Sequence, residues 1–244
     1  MSVHHRLDGP GGAPVLVLSS SLGTTHAMWE PQLPALAERY RVVRYDHPGH
    51  GLSPVGPRSI DGLASAVLDL LDSLGLDRVH FCGLSLGGMV GMWLGANARG
   101  RVERLVLACT APHLPPAESW QKRAVTVRAH GVEAIADSVL QRWFTPRFRD
   151  EHPETVRRYR RMLAETPAEG YARCCEAIRD MDLRGDLARI ETPTTVIFGA
   201  HDPVVPDEGR RALAAIRGSR VVEVDAAHLA NVEQPDAFSV ALLS

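Results

Sequence analysis

The chain has 244 residues, a hydrophobic content of 45% and a formal net charge of -2. A chain of this length buries roughly 70 to 75% of its unfolded surface, which excludes a small scaffold that depends on disulfides or metals. The nearly neutral charge excludes the basic footprint of a nucleic-acid-binding protein and the polybasic strip of a protein that binds anionic membranes. A small molecule is therefore the expected partner.

The N-terminal stretch "MSVHHRLDGPGGAP" lacks the apolar segment of a signal peptide, and no apolar run is long enough to span a bilayer. Cys82 and Cys109 end apolar runs, and Cys174 and Cys175 are adjacent. This usage indicates reduced, buried thiols rather than a disulfide framework. No Cys or His pair has zinc-ligand spacing, so no metal site is predicted. We expect a cytoplasmic protein.

Six short, apolar, β-branched segments alternate with helical patterns along the chain. They are "APVLVLS" (13–19), "YRVVRYD" (40–46), "RVHFCG" (78–83), "RVERLVLA" (101–108), "PTTVIFG" (193–199) and "SRVVEVD" (219–225). Continuous apolarity indicates strands buried on both faces, and residues 60–74 and 86–98 have the periodicity of helices. The alternation predicts an α/β fold with a doubly wound, mostly parallel sheet.

The alternation stops between residues 111 and 186. This segment has no strand pattern and mixes helix-forming stretches with six prolines (Pro112, Pro115, Pro116, Pro146, Pro153 and Pro167). It is therefore predicted to be a helical cap inserted into a core formed by residues 1–110 and 187–244.

The segment "GLSLGG" places Ser85 in a Gly-x-Ser-x-Gly motif, directly after a predicted strand and directly before a predicted helix. This is the context of a nucleophile elbow, in which a sharp turn exposes a serine hydroxyl. Glycines at 83 and 87 let the neighbouring chain pass the turn without side-chain clashes. The alternative is an ordinary glycine-rich turn that leads into a packed helix.

A serine nucleophile needs a base that is oriented by a third group. Asp202 and His228 follow two late predicted strands, at the carboxyl ends where open α/β sheets place their sites. The order Ser85, Asp202, His228 is the order of α/β-hydrolase triads. In the alternative interpretation, Asp202 is only a turn residue and His228 is only a helix cap. His201 and Asp207 are the second candidates for the base and the acid of the triad.

In such a site, two backbone N–H groups bind the oxyanion. One belongs to the residue after the nucleophile, which is Leu86. The other comes from the loop after the first predicted strand, "SSSLGTTHAMW", where Leu22 is the candidate donor. The alternative is a loop without this role.

With these motifs and "YDHPGHGLS" (45–53), the chain resembles the α/β-hydrolase superfamily over almost its whole length. Ser20 and Ser21 stand where many members have His-Gly. Four stretches resemble the 3-oxoadipate enol-lactonases of aromatic catabolism, except that Ser20 replaces the usual Asn: "SLGTTHAMW", "RWFTPRF" (142–148), "GYARCCEAIRDMDLR" (170–184) and "GAHDPVVP" (199–206).

The resemblance implies hydrolysis of an enol lactone with an acetate arm, through an acyl-enzyme and without a cofactor. The cap would cover the pocket, and Arg142 beside Trp143 is the first candidate for carboxylate recognition. As alternatives, Trp143 belongs to the core of the cap and Arg142 faces water. Some relatives are fused to a decarboxylase after this domain, and this chain ends inside the helix-like "DAFSVALLS", as a trimmed fusion or a short ending would.

Two other functions remain open at this point. The same triad serves carboxylesterases, perhydrolases and carbon–carbon bond hydrolases, which sequence motifs separate poorly. A ligand receptor on the same fold is a second possibility, because a fold alone does not determine function. A haloalkane dehalogenase is disfavoured because its elbow requires Asp in place of Ser85.

Overall fold

The computed structural model describes residues 2–244. Its sheet consists of seven strands: β1 (His5–Asp8), β2 (Val15–Ser19), β3 (Arg41–Tyr45), β4 (Val79–Leu84), β5 (Val102–Ala108), β6 (Thr194–Gly199) and β7 (Arg220–Val224). The six predicted segments correspond to β2 through β7. The sequence pattern does not predict β1, because its four residues are half-buried or exposed and form no apolar run.

The strand order is β1-β3-β2-β4-β5-β6-β7. Only β1 is antiparallel to its neighbour, and every other pair is parallel, which confirms the predicted α/β class with a mostly parallel sheet. Leu84 at the end of β4 pairs with Ala108 at the end of β5, and Gly199 of β6 pairs with Val224 of β7. The loops after these strands therefore leave the sheet along one edge.

Eleven α-helices lie within residues 2–244: α1 (Leu33–Leu36), α2 (Ile60–Ser73), α3 (Leu86–Asn97), α4 (Ala117–His130), α5 (Ala136–Trp143), α6 (Pro146–Glu151), α7 (Pro153–Ala164), α8 (Ala168–Asp180), α9 (Asp207–Ala214), α10 (Ala230–Glu233) and α11 (Pro235–Leu243). Three short 3₁₀ helices span His26–Gln32, Val132–Ile135 and Leu187–Arg189. None of the helices in the described part of the chain is long and apolar enough to cross a membrane.

Helices α2 and α3 show two different ways of burying apolar surface. Helix α2 is amphipathic, starts at a Ser59 cap that accepts a hydrogen bond from Gly62 N, and buries one face. Ten of the twelve residues of α3 are buried, and this helix packs on β4 and β5 in the interior. Because α3 has no solvent-facing side, its first turn is held rigidly at the end of β4.

The segment 111–186 contains α4 to α8 and no strand. Arg128 of α4 forms ion pairs with Glu169 and Glu176 of α8, which join the two helices. The start of α8 contacts the loop after β3 so closely that a Cβ atom on Gly170 would lie 2.0 Å from the carbonyl oxygen of Gly49. Only glycine allows this approach. The helical segment therefore packs directly against the core at this point.

Candidate active site

Ser85 lies at the turn between β4 and α3. Its backbone has φ 58° and ψ -114°, a strained conformation for a residue other than glycine. Ser85 N donates to Ala108 O at 2.9 Å, and Thr110 Oγ1 donates to Ser85 O at 2.8 Å. Hydrogen bonds to the neighbouring β5 segment therefore hold the strained turn in place.

The two glycines of the motif are required by close packing of the backbone. A Cβ atom on Gly83 would lie 2.1 Å from Gly87 O, and one on Gly87 would lie 2.1 Å from Ser19 O. Both distances are far below van der Waals contact, and the atoms met are main-chain atoms. The sequence spacing around Ser85 thus has the steric cause expected of a nucleophile elbow.

The structure brings Ser85, His228 and Asp202 into one hydrogen-bonded chain. His228 Nε2 lies 2.9 Å from Ser85 Oγ, and His228 Nδ1 lies 2.9 Å from Asp202 Oδ2. The other oxygen of Asp202 accepts a hydrogen bond from Val204 N at 2.8 Å. The three side chains are buried, and this arrangement can activate a hydroxyl as a nucleophile.

The second candidates for the base and the acid lie elsewhere. His201 Nε2 is 2.7 Å from Asp225, and both side chains are exposed. Asp207 is the first residue of α9, where a carboxylate interacts favourably with the helix dipole. Neither residue contacts Ser85.

The backbone amides of Leu22 and Leu86 are the two candidate donors to an oxyanion. Leu86 is the first residue of α3, and Leu22 lines the same cavity as Ser85. No acceptor among residues 2–244 receives a hydrogen bond from either amide. Two unpaired N–H groups beside a serine hydroxyl are what an oxyanion hole requires.

Two buried histidines hold the loop that carries Leu22. His47 Nε2 donates to Ser20 O at 2.9 Å, and His50 Nε2 accepts from Gly23 N at 3.0 Å. Burial lowers the pKa of His47 to about 3 and that of His50 to about 4. Both rings are therefore neutral near pH 7, as the bond accepted by His50 requires.

Asp46 joins three segments of the chain beneath this loop. Its carboxylate accepts hydrogen bonds from His4 Nδ1 at 2.9 Å, His26 Nδ1 at 2.8 Å, His26 N at 2.7 Å and Leu52 N at 3.2 Å. Burial raises the pKa of Asp46, but the hydrogen bonds outweigh burial and bring the pKa to about 2. The ring nitrogens of His4 and His26 and a carboxylate oxygen of Asp46 also lie close enough together to act as ligands of one metal ion. Because each carboxylate oxygen already accepts two hydrogen bonds, we interpret the group as a structural cluster.

A cavity of about 210 Å³ opens above the triad, between the sheet edge and the helical segment. Ser85, His228 and Leu22 form its floor, and no acidic side chain lines it. Its other walls come from three prolines and from the helices, and include Trp120, Arg123, Arg142, Trp143 and Tyr171.

Two arginines face this cavity without an acidic partner. Arg142 is half-buried, and its pKa is lowered by burial and by the positive charge of Arg123. Arg123 lies 4.6 Å from the ring centroid of Trp120, and neither arginine forms an ion pair within residues 2–244. Trp143 is buried, lines the cavity and belongs to the apolar core as well. Two cations without an acidic partner, in a cavity that no acidic side chain lines, form a site suited to an anion.

The sequence pattern does not predict Arg123 as a site residue. Helix α4, which carries it, buries only two residues, Ala124 and Val127, so its sequence shows no clear apolar face. Its arginine reaches the cavity only because α4 packs on α8. The sequence likewise does not predict the contacts of His47 and His50, although the motif "YDHPGHGLS" that contains them is recognisable.

Comparisons with known proteins identify the family. Residues 14–235 match the family described as having the alpha/beta hydrolase fold. The 3-oxoadipate enol-lactonase 2 of Acinetobacter baylyi is 41% identical and aligns over 99% of this chain and 92% of its own length. The 3-oxoadipate enol-lactonase 1 of the same organism is 39% identical, over 96% of this chain and 88% of its own length.

A solved structure gives the same result. The enol-lactonase from Burkholderia xenovorans LB400 is similar with a TM-score of 0.96 and 44% identity, covering 99% of this chain and 95% of the other. This chain belongs to the α/β-hydrolase family, and its resemblance to 3-oxoadipate enol-lactonases is confirmed.

Proposed function

We propose that this protein hydrolyses 3-oxoadipate enol-lactone to 3-oxoadipate with Ser85 as the nucleophile. One observation carries the proposal: an elbow serine with a hydrogen-bonded His and Asp lies on the floor of a cavity that is also lined by two arginines without an acidic partner among residues 2–244. The relatives named 3-oxoadipate enol-lactonases support the choice of substrate. We also place the reaction in aromatic catabolism and the protein in the cytoplasm, where its four free, buried thiols stay reduced.

The acylation step follows from the two hydrogen bonds of His228. Its Nδ1–H donates to Asp202, which leaves the Nε2 lone pair to accept the Ser85 proton as Oγ attacks the ring carbonyl. Asp202 then stabilises the imidazolium. The amides of Leu22 and Leu86 donate to the oxyanion of the tetrahedral intermediate, whose collapse breaks the ring C–O bond.

The leaving group of a lactone stays attached to the acyl part. The enol oxygen departs within the same molecule and takes the proton of the His228 imidazolium, which makes the base neutral again, and the enol then tautomerises to the ketone. His228 then removes a proton from water as the water oxygen attacks the acyl carbon. The resulting intermediate collapses, and His228 returns the proton to Ser85 Oγ as the bond between Oγ and the acyl carbon breaks. The product is a dicarboxylate, and these steps need no further group.

Arg142 and Arg123 are the proposed partners of the acetate arm. A guanidinium binds a carboxylate through charge-assisted, often bidentate hydrogen bonds. The lowered pKa of Arg142 reflects burial beside a second positive charge, a repulsion that a bound carboxylate would relieve. Trp143 would pack against the apolar face of the lactone ring.

The test is hydrolysis of the enol lactone by purified protein, measured as the loss of the ultraviolet absorbance of the enol lactone. We expect wild type to consume the lactone, and Ser85→Ala to reduce kcat by roughly 10⁴-fold or more while remaining folded. Ser65→Ala, on the exposed face of α2, is the matched control and should keep full activity. Unchanged turnover by Ser85→Ala would overturn the mechanism.

A second substrate separates the mechanism from the substrate assignment. If wild type cleaves a neutral aryl ester and ignores the enol lactone, the protein is an esterase that uses the same triad. The lactone assignment would then be wrong, although the role of Ser85 would stand.

A further inference from the structure

Glu233, at the end of α10, is a buried acid five residues after His228. Its Oε2 accepts hydrogen bonds from Ala227 N at 3.0 Å and Thr145 N at 3.3 Å, and its Oε1 accepts one from Thr145 Oγ1. No arginine, lysine or histidine within residues 2–244 forms an ion pair with it. A buried carboxylate is costly unless its oxygens accept hydrogen bonds, so these three bonds determine where Glu233 sits.

The partners of Glu233 belong to two different parts of the site. Ala227 immediately precedes His228. Thr145 caps α6, where its hydroxyl accepts from Phe148 N at 3.2 Å, and it lies two residues after the end of α5. One carboxylate therefore connects the loop of the general base with the turn that follows α5, the helix that carries Arg142.

Two backbone hydrogen bonds join the same two segments directly. His228 N donates to Arg142 O at 3.4 Å, and Leu229 N donates to Trp143 O at 3.0 Å. The carbonyl groups of the predicted substrate-binding residues thus accept from the amides of the base loop. The first of these bonds is long and therefore weak, so the backbone contact at His228 itself adds little, and Glu233 supplies a further connection beside it.

We propose that Glu233 is a positioning residue that fixes His228 relative to α5, so that substrate recognition and proton transfer occur in one rigid unit. This inference rests on the proposed roles of His228 and Arg142. Without the carboxylate, Ala227 N and Thr145 N lose their acceptor, and the base loop shifts to pair or hydrate them. A displacement of about 1 Å at a catalytic base lowers turnover by roughly 100-fold.

Two substitutions separate the reach of the side chain from its charge. In Glu233→Gln, the amide oxygen can accept from both N–H groups while the amide nitrogen donates to Thr145 Oγ1. Glu233→Asp keeps the charge but is one methylene too short to contact both segments. We expect Gln to keep kcat within about threefold of wild type and Asp to lower it by roughly 10- to 100-fold, as supporting residues around an active site do.

The assay measures kcat and KM for the enol lactone and for a neutral aryl ester, per folded molecule as determined by circular dichroism. Glu233→Asp should lower kcat on both substrates, because the base is displaced, and raise KM for the lactone alone, because α5 is displaced as well. Glu151→Ala, which removes an exposed carboxylate paired with Arg147 on α6, is the control and should match wild type.

Three results would overturn the proposal. They are equal kcat values for Glu233→Asp and wild type on the ester, a Gln variant less active than the Asp variant, and a loss of activity that disappears after correction for the folded fraction. If wild type ignores the lactone, the substrate assignment is wrong, and kcat on the ester still decides the role of Glu233.

Discussion

The buried, neutral histidines His47 and His50 should make the protein sensitive to mild acid. Burial lowers their pKa values to about 3 and about 4 in the folded protein, whereas a histidine in an unfolded chain titrates near 6.5. Between these values the unfolded chain binds more protons than the folded protein. Stability is therefore fully present above about pH 6.5 and is lost as the pH falls below it.

The size of the effect at pH 5 depends almost entirely on the unfolded chain. Protonation of an unfolded histidine at this pH is favourable by about 2 kcal/mol, so each buried histidine should lower the free energy of unfolding by about 2 kcal/mol relative to pH 8. For both residues together the loss is about 4 kcal/mol, a large fraction of the usual stability of a domain.

Urea unfolding at pH 8 and pH 5, followed by circular dichroism, measures this loss. In His50→Gln the amide oxygen can still accept from Gly23 N, and in His47→Gln the amide nitrogen can still donate to Ser20 O. Each variant should lose about 2 kcal/mol less than wild type between the two pH values. The difference isolates the substituted histidine because all other titrating groups are shared. If both variants keep the full pH dependence of wild type, the two histidines are not buried in neutral form.

Three further outcomes are expected. Gly87→Ala places a Cβ 2.1 Å from a carbonyl oxygen of β2 and should destabilise the protein by about 3 kcal/mol or more, whereas Gly11→Ala, with no atom within 4 Å of its Cβ, should be nearly neutral in the same urea titration. Arg142→Met and Arg123→Met should each raise KM for the enol lactone about tenfold or more and leave a neutral aryl ester almost unaffected; equal effects on both substrates would contradict carboxylate recognition. Asp202→Asn should lower kcat by roughly 10⁴-fold in a folded protein, and a loss below tenfold would count against its role in orienting the base.

The elements that the sequence predicts well are those with a local cause. The run "VIFG" of β6 is buried on both faces, and its continuous apolarity indicates this directly. The elbow around Ser85 is recognisable because backbone contact forces glycine at 83 and 87. The positions of Asp202 and His228 follow from strand order, since parallel strands end along one edge.

The features that the sequence does not predict depend on tertiary contacts. β1 lies at the sheet edge and is too exposed to show a buried strand pattern. Arg123 belongs to a helix without a clear apolar face, and its direction is determined by packing on α8. In the sequence, Glu233 is indistinguishable from a charged surface residue. Its proposed positioning role follows only from its contacts with Thr145 and Ala227.

Detection of the acyl-enzyme tests the central claim most directly. Wild-type protein is mixed with the enol lactone, quenched in acid within milliseconds, digested and analysed by mass spectrometry. Because the leaving enol stays attached to the acyl group, the peptide that contains Ser85 should gain the mass of one whole lactone, and Ser85→Ala should show no adduct. Rapid turnover without any adduct on Ser85, or the same adduct in the alanine variant, would contradict the proposed mechanism.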